Sequence, residues 1–142
     1  MLFRSDGTLI QAWAGQKSFK PKAGGAASPP DDPGNATVDF HGERRTNATH
    51  VSTTDPDARL YKKAKGQEAK LSYLGHVLID NRHGLVVNSR LTTATGRAEW
   101  EAGLAVVKDV PGRHRITVGG DRGFDDRGFV DSLRSLDRKS VV

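Results

Sequence analysis

The chain contains no cysteine, which excludes both a disulfide framework and a thiolate zinc site. No apolar stretch approaches the ~18–20 residues that a membrane-spanning helix needs, and the start, Met1 to Asp6, is too short and too polar for a signal peptide. The expected setting is therefore a soluble protein of a reducing cytoplasm with no membrane partner. Hydrophobic residues make up only 35% of the 142 positions, low for a chain that is folded throughout, so part of it is expected to be disordered. Several catalytic signatures are missing as well. His41, His50, His76, His83 and His114 form no i, i+4 pair with the neighbouring acid of a zinc hydrolase. Gly119-Gly-Asp-Arg-Gly123 lacks the Lys-Ser/Thr that would complete a Walker loop, and there is no Gly-x-Ser-x-Gly elbow.

Positive charge is what the chain has in excess. Lys and Arg number 22 against 17 Asp and Glu, a net charge of +5, which favours a polyanionic partner such as nucleic acid. Many basic proteins bind none, so the charge alone decides little. Between Arg59 and Lys70, five basic residues (Arg59, Lys62, Lys63, Lys65, Lys70) face a single acid, Glu68. That run fits either a solvated surface or a stripe of phosphate contacts.

The apolar pattern divides the chain into few elements. Met1 to Trp13 reads as a strand carrying Asp6. Residues 16–57, rich in Lys, Pro, Gly, Ser, Thr and Asn, read as a long flexible insertion. Leu71 to Asp80 and Leu85 to Leu91, joined by Asn81-Arg-His-Gly84, predict a β-hairpin whose first strand is covered on both faces. Thr93 or Thr95 is then expected to cap a helix with Trp100, Leu104 and Val107 on its apolar face, ended by Pro111-Gly112. Ile116 and Val118 mark a short strand that delivers Asp121 at its carboxyl end, where Gly119 and Gly120 would admit a second backbone or a phosphate. Asp125 or Asp126 caps a last helix bearing Phe129, Leu133 and Leu136.

The order strand, insertion, strand, strand, helix, strand, helix predicts an α/β fold. Its mixed sheet, with an antiparallel hairpin and a crossover helix, is the opening of a ribonuclease H-like sheet. The expected parts are a first strand (1–15), the insertion (16–57) and the remainder of an incomplete core (58–142). In that arrangement Asp6 and Asp121, 115 positions apart, come side by side. Two adjacent carboxylates can hold magnesium against a phosphate and so support phosphoryl transfer. The same acids also fit a plain strand-end role, bonded to water and backbone amides.

Six blocks then carry a resemblance: Asp6-Gly-Thr-Leu-Ile-Gln-Ala-Trp-Ala-Gly-Gln-Lys-Ser-Phe-Lys-Pro-Lys22, Asp57-Ala-Arg-Leu-Tyr-Lys-Lys63, Ala69-Lys-Leu-Ser-Tyr-Leu-Gly-His76, Asn81-Arg-His-Gly-Leu-Val-Val87, Thr93-Ala-Thr-Gly-Arg-Ala-Glu99 and Gly120-Asp-Arg-Gly-Phe-Asp125. In this order they resemble a bacterial insertion-sequence transposase of the DDE superfamily, from about Asp6 to Leu136. The resemblance implies a ribonuclease H-like catalytic core, DNA cleavage and strand transfer dependent on Mg2+ or Mn2+, and recognition of the element's terminal repeats. It places the catalytic, metal-binding aspartates on Asp6 and Asp121, and leaves Lys62, Lys63, Lys65 and Lys70 as candidate DNA contacts.

The sequence also departs from that pattern. The family's third carboxylate is a glutamate on a later helix, yet Glu43, Glu68, Glu99 and Glu101 all precede Asp121. The expected reading is a truncated fragment, its catalysis crippled, which could pair with itself or a full-length transposase. The alternatives are a non-catalytic DNA-binding remnant and a functionless one. Trp100 stands where a polar helix residue is expected, and in an incomplete core it would be exposed.

Overall fold

The computed structural model describes residues 2–23, 38–40, 42–112, 115–120, 124–136 and 139–141, with the backbone alone for 2–6, 38–40, 43 and 139–141. In chain order the elements are strand β1 (Leu2–Gln11), a 3-10 turn (Gln16–Ser18), β2 (Phe19–Pro21), β3 (Val38–Phe40), β4 (Glu43–Arg45), β5 (His50–Ser52), β6 (Arg59–Tyr61), β7 (Lys70–Asp80), β8 (Leu85–Thr93), helix α1 (Ala98–Lys108), β9 (Thr117–Gly119), helix α2 (Arg127–Ser135) and β10 (Lys139–Val141). The mixed α/β class expected from the sequence is observed. Two compact units divide the chain. The first comprises 1–8, 75–92 and 99–142, and the second 9–74 and 93–98.

In the first unit the sheet runs β10-β9-β1-β7, and β8 pairs with β7. β1 and β9 are parallel neighbours, as are β9 and β10. Parallel neighbours need a crossover, and α1 lies between β8 and β9 in the chain. The four residues from Asn81 to Gly84 are too few for a crossover, so β7 and β8 form the expected antiparallel hairpin. Gly84 N donates to Asp80 O at 2.8 Å, and Gly84 takes φ of 69°, a conformation that favours glycine. One face of β7 is buried through Leu74, His76, Leu78 and Asp80, while Tyr73, Gly75, Val77 and Ile79 are half-buried, so both faces are at least partly covered.

The core of this unit gathers Leu78, Val106, Val107, Ile116, Val118, Phe124, Phe129 and Leu133. Helix α1 turns Ala102, Gly103, Val106 and Val107 inward, so only Val107 of the expected stripe is fully buried. Trp100 and Leu104 are partly buried and pack against the core. The expected exposure of Trp100 is therefore not what the packing gives, because the indole covers apolar side chains that would otherwise meet water. Helix α2 begins as the sequence suggests: the Asp126 carboxylate accepts from Phe129 N at 3.1 Å. Its inward residues are Phe129 and Leu133, and Leu136 at the cap is half-buried.

The second unit is built from short pieces. β2 and β5 pair antiparallel, as do β3 and β4, and β6 pairs antiparallel with the start of β7 (Leu60 opposite Leu71). The stretch 16–57, expected to be flexible throughout, thus contains four short strands among its described residues; 24–37 and 41 lie outside them. Periodicity missed these strands because each is three residues long. They are fastened by individual polar groups. Arg45 Nη1 donates to the carbonyls of Gln16 (3.2 Å) and Phe19 (3.1 Å), Gln16 Nε2 to Ala69 O (3.0 Å), and Lys22 Nζ to Asn47 O (2.8 Å). The small core holds Phe19, Ala58, Leu60, Ala69 and Leu71. The first strand stops at Gln11, and Trp13, expected within it, is 98% exposed.

Candidate functional site

Asp6 lies in β1, which extends from Leu2 to Gln11, and its backbone is therefore extended. The parallel pairing of β1 with β9 sets Leu2 opposite Thr117, Phe3 opposite Val118 and Arg4 opposite Gly119. Asp121, the second expected site residue, lies outside the described residues, two positions after the end of β9. The side chain of Asp6 is likewise not among those described.

Next to Asp6 the strand carries Gly7, which is buried. A Cβ at Gly7 would stand 2.7 Å from Glu99 Oε1, closer than real Cβ contacts come, and 3.3 Å from its carboxyl carbon. The missing side chain therefore makes a recess in β1, and the half-buried Glu99, from the first turn of α1, fills it. Glutamate is well placed in the first turn of a helix, where the unsatisfied amides favour negative charge. In the sequence Glu99 stands only as the end of the Thr93–Glu99 block and as an acid that precedes Asp121. A buried glycine inside a strand, next to an acid, was the signal that could have drawn attention to it.

Gly120 has a different neighbour from the one expected. A Cβ there would meet three carbons of Phe124 at 3.0 to 3.1 Å, so the space beside it is taken by an aromatic ring rather than left open for a phosphate. Phe124 in turn packs on Phe129, their ring centroids 5.2 Å apart, and both rings crowd Gly103 of α1. The apolar effect wins here because Phe124 and Phe129 are at most 5% exposed.

A further acid in this unit sits at the hairpin. Asp80 accepts from His83 Nδ1 at 2.5 Å and from Arg82 N at 2.9 Å, and these bonds, the His83 one first, hold its carboxyl below the usual carboxylate range. It closes the turn and has its own partners. His76, buried, shares a 2.8 Å hydrogen bond with Thr92 Oγ1, and burial pushes its imidazole below the ordinary value. In the second unit Tyr73 donates to Asp55 Oδ1 at 2.6 Å, and that bond, with burial, pushes the phenol up to about 12. A hollow of about 280 Å³ lined by Gln11, Ala12, Trp13, Ala14 and Gly15 contains no ionisable side chain.

The candidate DNA-contacting lysines belong to the second unit. Lys62, Lys63 and Lys65 are exposed in the segment between β6 and β7, and Lys70, also exposed, begins β7 with its Nζ 3.9 Å from Glu68. Exposed ion pairs of this kind contribute little to stability. At that distance Glu68 does not enclose the Lys70 ammonium, which keeps its access to solvent.

Among the described residues no three His, Cys, Asp or Glu side chains come together as a metal centre. The donor chemistry around the β1 recess is nevertheless of the right kind for a hard divalent ion. Glu99 provides carboxylate oxygen at a place where the strand has been pared to a glycine, and the chain has no cysteine to offer a thiolate. Among the described residues no helix is long and apolar enough to cross a membrane.

Comparison with curated proteins and with solved structures gave no match. A family model did match: that of the transposase DDE domain, over residues 47–142, with Asp121 inside the matched span and Asp6 ahead of it. The match takes in about two thirds of the chain and includes β6 to β10 with both helices. On that extent of agreement the chain belongs to the transposase DDE-domain family.

Proposed function

We propose that this chain forms a ribonuclease H-like core which binds DNA at the ends of an insertion sequence and cuts it by phosphoryl transfer, with Mg2+ or Mn2+ held between Asp6 and Asp121. The observation that carries the reading is the register of β1 on β9. Each of its three pairs is separated by 115 positions, and so are Asp6 and Asp121. Carried two residues further, the same parallel register would set the two acids level, with Asp6 in the middle of β1 and Asp121 just past the end of β9; the ends of parallel strands are where α/β sheets bind ligands. Tertiary pairing, not chain proximity, supports their joint role.

In the cleavage step a water oxygen forms a bond to the scissile phosphorus as the bond to the 3′ oxygen breaks, and the departing oxygen takes up a proton. A divalent ion there supplies stabilisation of the charge on the phosphate oxygens. Asp6 and Asp121 contribute the negative charge that retains the ion. Lys62, Lys63, Lys65 and Lys70 contribute affinity for the DNA backbone, which falls as salt rises. A non-catalytic DNA-binding role is the second reading, favoured by the exposure of those four lysines.

Nicking of a supercoiled plasmid separates the two. The purified chain with Mn2+ should convert supercoiled to open-circular DNA, and the Asp6→Ala/Asp121→Ala double variant should not. Equal nicking by both would reject the two aspartates. Salt-sensitive binding with no nicking by either would favour the non-catalytic role.

A further inference from the structure

Trp13 is 98% exposed, the most open of the described large hydrophobic side chains. Tryptophan is ordinarily well buried, because its ring offers so much apolar surface to water. Its exposure here does not come from a loose backbone. Ala12 N donates to Leu71 O at 2.8 Å, Gln16 Nε2 donates to Ala69 O at 3.0 Å, and Gly15 O accepts from both Ser18 N (3.0 Å) and Ser18 Oγ (2.7 Å). Ala12 and Ala14 pack against the small core of the second unit, and the indole between them is left outside. The segment they are bonded to alternates in the same way, with Ala69 and Leu71 buried and Lys70 between them exposed. Trp13 and Lys70 therefore project to solvent from two segments that are hydrogen-bonded to each other. The hollow of about 280 Å³ lined by residues 11–15 has the indole in its wall.

The charge of this unit says what the ring meets. Residues 9–74 and 93–98 contain eleven Lys and Arg against seven Asp and Glu, so the unit carries +4 of the chain's net +5. Lys17, Lys20, Lys62, Lys63 and Lys65 are exposed on it together with Lys70. Single-stranded nucleic acid is held by this combination, with ammonium groups on its phosphates and aromatic rings on its bases. A paired base has both faces covered by its neighbours in the stack, so only an unpaired or terminal base can offer a face to the indole. We infer that Trp13 is the stacking platform for an unpaired base of the bound DNA, with Lys70 beside it on the phosphate backbone of the same strand. The inference rests on the DNA binding proposed above and deepens it by naming the state of the strand that this unit holds. It also explains why a side chain that gains nothing from burial is carried on a backbone fixed by hydrogen bonds on either side.

The test is binding of the full chain to a fluorescein-labelled oligothymidylate and to a labelled duplex of equal length, followed by anisotropy at low and moderate salt. Trp13→Ala should weaken binding of the single strand roughly fivefold to a hundredfold, the loss expected for one base–aromatic stack, and leave the duplex unchanged. Trp13→Phe keeps a ring face and should recover most of that loss. Lys70→Gln should weaken both and make both less sensitive to salt. The single strand should also quench the tryptophan emission of the wild type, and the quenching should vanish in Trp13→Phe, where the half-buried Trp100 is the remaining indole. Because Trp13 is so exposed, its substitution should leave the urea midpoint in place, which separates a binding defect from a folding one. Wild-type affinity of Trp13→Ala for the single strand, or an equal loss on single strand and duplex, would overturn the stacking role and leave DNA binding standing. No binding of either DNA by the wild type at low salt would overturn the DNA reading itself, and this inference with it. A blue shift of the emission with phosphatidylserine vesicles, and no response to either DNA, would assign the ring to a membrane surface instead.

Discussion

The two units of this chain are held by different forces. The first buries a continuous set of large apolar side chains, with Leu78, Val106, Val107 and Leu133 all at 0% exposure beneath a sheet and two helices. The second buries a smaller set around Phe19 and Leu60 and ties three-residue strands together through Arg45, Gln16, Asn47 and Ser52. Burial is non-directional and tolerates a range of sequences that keep the pattern. A side chain bonded to a named carbonyl is directional and tolerates few. The first unit should therefore respond to changes of volume, and the second to the loss of single polar atoms.

The largest expected effect tests the first half of that contrast. Leu133→Ala removes a fully buried side chain from between α2 and the rest of its core and should cost about 2–5 kcal/mol in urea unfolding. A cost below ~1 kcal/mol would mean that this core collapses around the cavity and is not closely packed. The second test is polar. Asn47 Nδ2 donates to Leu60 O at 2.8 Å and its Oδ1 accepts from Leu60 N at 2.7 Å, so the side-chain amide stands in for a strand neighbour. Asn47→Ala should cost about 1–3 kcal/mol by leaving buried backbone groups unsatisfied, measured in the same unfolding series. No change would show that water replaces the amide and that the polar ties are incidental.

The smallest effect is in proton linkage, where the units should fail from opposite ends of the pH scale. His76 has its pKa lowered from 6.5 by burial, so it takes up a proton more readily when unfolded. Its contribution is complete above 6.5 and is lost as pH falls below that value. Asp80, depressed from 3.8, adds a second loss at still lower pH. Tyr73 is the reverse: with its pKa raised from 10.0 to about 12, its contribution is complete below 10 and is lost as pH rises towards 12. Denaturant midpoints across pH should thus decline on the acid side less in His76→Gln and on the alkaline side less in Tyr73→Phe. If either variant follows the wild-type profile, that group's linkage is not what shapes it.

Much of the fold was legible in the residues. The hairpin of β7 and β8 was readable because its strands are long and broken by a turn with glycine at a positive φ. The cap of α2 was readable to within two adjacent acids, Asp125 and Asp126, because a capping acid stands just ahead of its helix, and the structure selects Asp126. The strands within 16–57 were not, since their stability comes from partners such as Arg45 with Gln16, 29 positions apart, and not from any local period. The buried face of α1 was misjudged because Ala102 and Gly103 are small: they lie inward since Phe124 and Phe129 come close to Gly103, a contact that the large side chains of the expected stripe do not reveal. Of the site, the two aspartates were named from their sequence contexts. The contact of Glu99 with Gly7 was not legible, because the two stand 92 positions apart.

By itself the sequence determined the local elements and the family, since alternation, capping and the order of blocks are properties of neighbouring residues. Only the tertiary structure decided which distant residues meet: β9 against β1 at a separation of 115, and the Glu99 carboxylate in the recess left by Gly7. Strand pairing and helix packing are chosen by which apolar faces must be buried together, and that choice is made by the whole chain at once.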